Sequence, residues 1–184
     1  MPRKNLQKPH KSRQDYQTPA DLISAVEDRF GLLTWDLAAS PHNAQVPAPH
    51  YFTDAPGGES AFTEDWSTFG RDDLLWLNPP FGGIQHEWAP LVARWTKRLP
   101  WLRVVMLTPA AIGSEWFREH VHGKAMVLGL NPRLTFVGET MTYPKDCMLS
   151  CFGFGVAGFD VWRWQPTRAE KSVARKAAKA LRAA

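Results

Sequence analysis

The sequence predicts an α/β domain with a doubly wound sheet and an antiparallel edge, and three observations support this class. Early in the 184-residue chain, strand-like apolar runs alternate with segments of helical periodicity. Toward the C-terminus, strand-like runs follow one another directly. Two of the early runs, 74–77 and 104–107, are continuously apolar, which is typical of strands that are buried on both faces.

The first regular element follows a polar, aperiodic arm over residues 1–15, which we expect to be flexible. Thr18 is the predicted N-cap of a helix and Pro19 its first residue. Apolar residues recur at helical spacing as far as Phe30, and Gly31 ends the helix. The folded domain is predicted to begin with this element.

The remaining elements follow from apolar patterning and from turn residues. The predicted strands are 32–37, 51–53, 74–77, 104–107, 125–130, 134–137, 147–156 and 159–164, and the further predicted helices are 84–98 and 113–121. No internal repeat and no second domain are visible. We therefore expect a single domain over 16–164, followed by a basic helix over 165–184.

Charge is segregated along the chain. The net charge is +4, yet residues 1–13 carry five bases and no acid, and residues 163–184 carry seven bases and one acid. The body between them is therefore acidic. Five bases of the last segment share one face of the predicted helix, namely Arg168, Lys171, Arg175, Lys179 and Arg182. Such a face can follow DNA phosphates, and a solvated helix docked by a small apolar stripe is the alternative.

Composition restricts the class of protein. No apolar run is long enough to span a membrane, and the basic N-terminus lacks the apolar stretch of a signal peptide. Cys147 and Cys151 would lie about 13 Å apart in a strand, too far for a disulfide, so we expect reduced thiols in a cytoplasmic protein. His120 and His122 lack further ligands at metal-site spacing, so no metal site is predicted.

The most informative motif is Asn78-Pro79-Pro80-Phe81, which directly follows the apolar run 74–77. In open α/β sheets, ligands lie outside the carboxyl ends of the strands. The exocyclic amine of a base is a poor nucleophile, because its lone pair is delocalised, and acceptors on both N–H protons relocalise that pair. Asn78 offers a side-chain carbonyl and Pro79 a backbone carbonyl, in a loop that the prolines stiffen.

Phe81 adds a flat face on which an extruded base can stack. These residue types at a strand end therefore favour methylation of an exocyclic amine through positioning and electrostatics. The motif alone does not separate adenine, cytosine and a protein glutamine as the acceptor.

Six blocks occur in order between residues 16 and 154. They are Tyr16-Gln17-Thr18-Pro19, Trp35-Asp36-Leu37-Ala38-Ala39-Ser40, Tyr51-Phe52-Thr53, Glu64-Asp65-Trp66, Trp76-Leu77-Asn78-Pro79-Pro80-Phe81 and Arg133-Leu134-Thr135-Phe136. Together they resemble the phage-type DNA N-6-adenine methyltransferase (Dam) family. The resemblance implies a Rossmann-like methyltransferase sheet with antiparallel C-terminal strands, S-adenosylmethionine as cofactor and double-stranded DNA as partner.

The resemblance also implies which residues contact the cofactor. They are Thr18 and Pro19 at its methionine end, Asp36 and Ala38 at the first strand end, Asp54 at the ribose, and Asp65 and Trp66 at the adenine. Asp54 follows Asp36 by 18 residues, close to the spacing of about 20 at which an acid meets a ribose hydroxyl. For each of the three acids, a helix cap or a surface acid is the alternative.

Three features depart from the family pattern. The usual glycine-rich cofactor loop is absent after Asp36, Phe81 stands where many relatives have Tyr, and no separate target-recognition domain is visible. Arg133 is either a phosphate contact or an ordinary edge charge.

The resulting hypothesis is methylation of N6 of adenine in DNA. Cytosine-N4 methylation is the first alternative, although such enzymes usually carry Ser in place of Asn78. A non-catalytic nucleic-acid-binding protein with a methyltransferase fold, or a protein methyltransferase, are the others, and the intact motif and the basic ends argue against them.

Overall fold

The computed structural model describes residues 16–54, 57–81 and 83–166. These residues form a mixed α/β structure around one six-stranded sheet. The helices are α1 (Ala20–Phe30), α2 (Gln85–Arg98) and α3 (Glu115–His120), with a 3₁₀ turn at Trp66–Thr68. The strands are β1 (Trp35–Asp36), β2 (Leu74–Leu77), β3 (Arg103–Pro109), β4 (Met126–Asn131), β5 (Cys147–Phe152) and β6 (Gly158–Arg163).

The strand order is β1-β2-β3-β5-β4-β6. Five strands run in one direction, and β5 is antiparallel to both of its neighbours, β3 and β4. The predicted antiparallel pairing is present, but its predicted place at the edge is wrong. Every residue of β5 is buried, which suits an interior strand, whereas β6 is largely exposed and forms the edge, parallel to β4.

Apolar clusters cover both faces of the sheet. In β2, Leu74 and Trp76 pack with residues of α1, while Leu75 and Leu77 pack with residues of α2. The strand β3 divides its residues between the two faces in the same way. This arrangement confirms that the continuously apolar runs are strands buried on both faces.

The start of α1 differs from the prediction by one position. Pro19, not Thr18, is the N-cap, with φ −67° and ψ 139°, and no side chain caps the helix. The Thr18 hydroxyl is engaged elsewhere, because it accepts a hydrogen bond of 3.2 Å from the Asn78 amide. The predicted end of the helix at Gly31 is confirmed.

The segment 134–137 is not a strand, so that prediction is wrong. Leu134 and Phe136 are buried and alternate with exposed neighbours, which produced the strand-like pattern. The backbone hydrogen bonds of this segment, however, go to residues outside the sheet. The N–H of Val137 donates to the Gln17 carbonyl at 3.1 Å, and that of Tyr143 donates to the Leu134 carbonyl at 2.7 Å.

Both cysteines are buried and free, as expected. Burial raises the pKa of the Cys147 and Cys151 thiols to about 12, so both stay protonated at neutral pH. Among the described helices, none is long and apolar enough to cross a membrane.

The end of β5 depends on a glycine. Gly153 has φ 81°, and a Cβ placed there would lie 1.9 Å from the Leu102 carbonyl oxygen. Gly155 has a similar φ of 76°, but nothing lies within 4 Å of its Cβ position. The close approach of two backbones therefore requires glycine at 153. The left-handed backbone of Gly153 also ends the extended conformation of β5 before the predicted residue 156.

Gly153→Ala should lower the free energy of unfolding far more than Gly155→Ala. The control incurs only the left-handed backbone cost, about 1–2 kcal/mol, whereas Gly153→Ala must also displace the backbone at Leu102. Urea denaturation of both variants measures the difference. Equal losses in the two variants would contradict the close packing.

Candidate active site

A pocket of about 150 Å³ lies at the carboxyl ends of β1 and β2. Its lining residues come from three stretches of the chain and are Tyr16, Ala38, Ala39, Ser40, Asn43, Asn78, Pro79, Pro80 and Phe81. The structure thus brings all four residues of the predicted catalytic motif, together with Ala38, to one pocket. Larger cavities of about 420 and 450 Å³ contain no residue of the motif.

The Asn78 amide is held in one orientation. Its Nδ2 donates to the Tyr16 backbone carbonyl at 2.9 Å and to the Thr18 hydroxyl at 3.2 Å. A backbone carbonyl can only accept, so the amide nitrogen, and not the oxygen, must face Tyr16. The position of Oδ1 follows from this choice.

The Asn78 Oδ1 atom is buried and has no hydrogen-bond partner among the described residues. A buried acceptor that stays unpaired costs about 1–3 kcal/mol, so native proteins seldom keep one without a reason. In a residue that lines a pocket, a donor on a bound ligand supplies that reason. Asn78 therefore contributes an unpaired, buried carbonyl acceptor to the wall of the pocket.

The two prolines of the motif differ in how their carbonyls are used. Gln85, the buried first residue of α2, donates from Nε2 to the Pro80 carbonyl at 3.3 Å. Within the described ranges no group donates to the Pro79 carbonyl. The loop is tied to the N-terminal segment at Asn78 and to α2 at Pro80, and the Pro79 carbonyl between them is a second available acceptor.

Four rings beside the motif form what we call the aromatic cluster: Tyr16, Phe81, Phe136 and Tyr143. Tyr16 stacks on Phe136 with centroids 4.7 Å apart. Phe81 meets the rings of Phe136 and Tyr143 at 5.6 and 5.5 Å, close to edge-on. Phe81 is only 8% exposed, so the cluster fixes its ring and leaves a limited surface for a ligand.

The aromatic cluster was largely missed at the level of sequence. Phe136 belongs to one of the six blocks, but nothing in its pattern connects it to Phe81. Tyr143 carried no signal at all. Its place in the cluster follows from a hydrogen bond between backbone atoms of Tyr143 and Leu134, which brings the Tyr143 ring against Phe81.

Asp36 supports the opposite wall of the pocket. It is 2% exposed, and its carboxylate accepts the N–H of Ala38 at 3.2 Å and that of Gln45 at 3.0 Å. Burial raises its pKa to about 6, and the two backbone N–H groups partly offset that rise. Asp36 thereby holds the loop that carries Ala38, Ser40 and the other wall residues, without lining the pocket itself.

Of the predicted cofactor residues only Ala38 lines the pocket. Thr18, Pro19 and Asp36 lie in the segments that support it, and the other three have no contact with its lining residues that the structure shows. Asp54 is exposed. Asp65 is exposed and caps the 3₁₀ turn, where it accepts the Ser67 N–H at 3.0 Å, and that bond lowers its pKa. Trp66 is fully buried and donates to the Ala61 carbonyl at 2.9 Å, so a ligand could reach it only after rearrangement.

The predicted DNA contacts have two different outcomes. Arg133 lies in a loop after β4, and its Nε donates to the Asp146 carboxylate at 2.6 Å, so its charge is paired. The basic residues of the predicted helix lie outside the described residues: Arg168, Lys171, Arg175, Lys179 and Arg182. Across 16–54, 57–81 and 83–166, no group of three His, Cys, Asp or Glu residues could hold a metal ion.

Comparison with known proteins gives one family. The family described as DNA N-6-adenine-methyltransferase (Dam) matches residues 5–151 of the chain. A search of curated proteins finds no significant match.

Asp36→Asn should remove a pH dependence of stability. Folding raises the Asp36 pKa from 3.8 to about 6, so the native state binds this proton more tightly than the unfolded state does. The stability from the protonated carboxyl is fully present below pH 3.8 and is lost as the pH rises through 6. A shift of about two pKa units corresponds to about 3 kcal/mol.

Urea denaturation from pH 4 to pH 7 measures this effect. The free energy of unfolding of Asp36→Asn, minus that of the unsubstituted protein, should increase over this range. The exposed Asp54→Asn is the control and should follow the unsubstituted protein. If the difference in free energy of unfolding between Asp36→Asn and the unsubstituted protein stays constant with pH, burial does not raise the Asp36 pKa.

Proposed function

Because the chain belongs to the DNA N-6-adenine-methyltransferase (Dam) family, we propose that it transfers a methyl group from S-adenosylmethionine to N6 of adenine in double-stranded DNA. One observation carries this proposal beyond the family. The Asn78 carbonyl is a buried, unpartnered acceptor in the pocket, and its own amide nitrogen is anchored. That is the arrangement needed to hold an amine that must become a nucleophile.

The proposed chemistry uses two acceptors. Asn78 Oδ1 accepts one N–H of the adenine amine, and the Pro79 carbonyl accepts the other. Together they draw the nitrogen toward tetrahedral geometry and concentrate its lone pair, which then forms the new N–C bond, and the methylated nitrogen releases one of its two protons to solvent. When bound, S-adenosylmethionine supplies a methyl group on a positively charged sulfur, from which the C–S bond breaks readily. Both acceptors are fixed before the reaction, so little reorganisation opposes it.

The wall of the pocket fits the methyl-bearing end of the cofactor. Ala38 and Ala39 are small and leave space, and Ser40 and Asn43 provide polar groups. Pockets that enclose a drug-sized ligand measure about 300–1,000 Å³, whereas this one has about 150 Å³. We therefore propose that it takes the reacting groups, while the rest of the cofactor lies along the strand ends.

Pro19 stays a proposed contact for the methionine end of the cofactor, and the other remaining residues fall into two groups. The exposed Asp54 and Asp65 lie in the connection between β1 and β2 and stay proposed contacts for the ribose and adenine of the cofactor. For Thr18 the hydrogen bond to Asn78 favours a different role, in which it positions the acceptor and does not itself bind the cofactor. The burial of Trp66 favours a place in the core.

The sheet and the chain ends complete the proposal. Five co-directional strands, helices on both faces and a pocket at the strand carboxyl ends support a Rossmann-like methyltransferase sheet. We further propose that the basic residues beyond 164 contact DNA phosphates without reading sequence. The arm over 1–15 and the domain limits 16–164 stay predictions.

Purified protein incubated with S-adenosylmethionine and unmethylated DNA should form N6-methyladenine. Because the proposed chemistry uses only backbone and side-chain acceptors, the product should also form in the presence of a metal chelator. Mass spectrometry of the digested nucleosides identifies the product. N4-methylcytosine as the sole product would overturn the assignment to adenine, and a strict requirement for a divalent ion would overturn the mechanism.

Substitutions at Asn78 and Thr18 separate catalysis from cofactor binding. Asn78→Ala should lower kcat by roughly 100- to 1,000-fold, as for other fixed polar groups that act in a transition state, with little change in S-adenosylmethionine affinity. Thr18→Val removes the hydroxyl that holds the amide and should lower kcat by roughly tenfold, while Thr18→Ser should keep most of the activity.

Calorimetric titration of S-adenosylmethionine provides the second readout for the same variants. If Thr18 positions Asn78, Thr18→Val binds the cofactor as the unsubstituted protein does. Loss of cofactor binding in a folded Thr18→Val variant, with kcat unchanged at saturation, would instead show that Thr18 contacts the cofactor directly.

A further inference from the structure

We propose that the chain forms a symmetric dimer in which the β6 strands of two copies pair antiparallel, centred on Val161, and join the two sheets into one. Across the described residues, β6 has a neighbouring strand, β4, on one side only. Phe159 and Val161 of β6 are each 61% exposed. Edge strands that stay unpaired are usually short or carry charges, proline or bulges, whereas an exposed apolar edge promotes pairing.

The backbone of β6 alternates between two directions. The Gly158 N–H donates to the Ala125 carbonyl at 3.2 Å, and the Trp164 N–H donates to the Asn131 carbonyl at 3.0 Å. In a parallel ladder every second residue bonds to the neighbouring strand. The even-numbered residues of β6 therefore turn their backbone groups toward β4, and the odd-numbered residues turn theirs toward the open edge.

The outward direction is visible at Val161. Its N–H donates at 2.7 Å to the side chain of the preceding residue, Asp160, and not to a strand. Phe159 and Arg163 have the same parity, so their N–H and C=O groups also point to the open edge. An antiparallel strand is a partner that can bond both groups of all three residues.

The outward groups select the register of the pairing. With the dimer axis at Val161, this residue lies opposite its own copy, and Phe159 lies opposite Arg163 of the second copy. An axis one residue to either side would place one of the three outward residues opposite a residue beyond β6. An axis at Asp160 would also set two carboxylates against each other, which is destabilising. The Val161 register instead pairs a cation with an aromatic ring.

Charges on the other face of the strand complement each other in the same register. Arg29, near the end of α1, lies over the Trp162 ring at 5.1 Å, and both Arg29 and Asp160 are exposed. With the axis at Val161, Asp160 lies opposite Trp162 of the second copy, and side chains at such positions are in contact distance. Its carboxylate therefore comes within reach of the Arg29 guanidinium of that copy. Two-fold symmetry produces this contact twice.

The pairing leaves both pockets open. The pocket lies at the ends of β1 and β2, whereas β6 is the opposite edge of the sheet. Because the paired strands run in opposite directions, the two pockets face opposite ends of the joined sheet. The dimer adds no residue to either pocket, and each copy binds its substrate separately.

Sedimentation velocity of the full chain at increasing concentration tests the dimer. The unsubstituted protein should pass from monomer to dimer, and Val161→Lys should stay monomeric, because two lysines would meet at the axis. Leu32→Lys is the matched control and should dimerise as the unsubstituted protein does. Leu32 is 76% exposed and precedes β1, at the opposite edge of the sheet.

Two results of this experiment would overturn the inference. One is an unsubstituted protein that stays monomeric at every concentration, as it would if residues 167–184 or a different protein covered β6. The other is a Val161→Lys variant that dimerises as strongly as Leu32→Lys, because the interface would then lie elsewhere.

A charge exchange tests the register. Asp160→Arg would face Arg29 of the second copy, and Arg29→Asp would face Asp160, so each variant alone should dimerise roughly tenfold more weakly. An equal mixture of the two variants should regain the affinity, because every Arg then faces an Asp. Native mass spectrometry identifies the heterodimer by its mass. A mixture that associates no better than its components would overturn the inference, since Asp160 and Arg29 would then not meet across the interface.

Discussion

The hydrogen bond from the Asn78 amide to the Tyr16 carbonyl is the interaction on which the site depends. It spans 62 residues of sequence and joins the end of β2 to the segment before α1. Because a carbonyl accepts only, it determines which end of the Asn78 amide faces the pocket. Without it the amide could turn its donor end inward, and of the two proposed acceptors only the Pro79 carbonyl would remain for a target amine.

The rest of the fold serves to keep that bond in place. The apolar residues of β2 fix the strand between two packed faces, so Asn78 leaves the sheet at a defined point. Tyr16 is held on its other side by stacking against Phe136. Asp36 holds the facing wall through two backbone N–H groups, at the expense of burying a carboxyl whose pKa rises to about 6. The two walls of the pocket are thus held by different contacts, one by β2 and Tyr16 and the other by Asp36.

The sequence was informative where local pattern determines structure. The apolar run 74–77 could only be a strand buried on both faces, and the two prolines after it had to end the strand, so the place of the motif was predictable. Gly31 was a reliable helix end for the same local reason. The position of Asn78 at a strand end and in the pocket was also predictable, while its chemistry stays a prediction from residue type.

What could not be predicted depends on distant partners. Alternation at 134–137 indicates burial on one side, but it does not say whether the partner is a strand or a ring such as Tyr16. Thr18 is of a residue type and at a position typical of a helix N-cap, yet its hydroxyl accepts a hydrogen bond from Asn78, 60 positions away in the sequence. Trp66 looked available to a ligand because burial in the core leaves no trace in a three-residue block.

A crystal structure with S-adenosylhomocysteine and a DNA duplex containing the methylated site would test the central claim most directly. We expect an extruded adenine whose N6 lies within about 3 Å of Asn78 Oδ1, with Asn78 Nδ2 still bonded to the Tyr16 carbonyl. An adenine bound away from Asn78, or an Asn78 amide that has turned away from Tyr16 to face the base with its nitrogen, would contradict it.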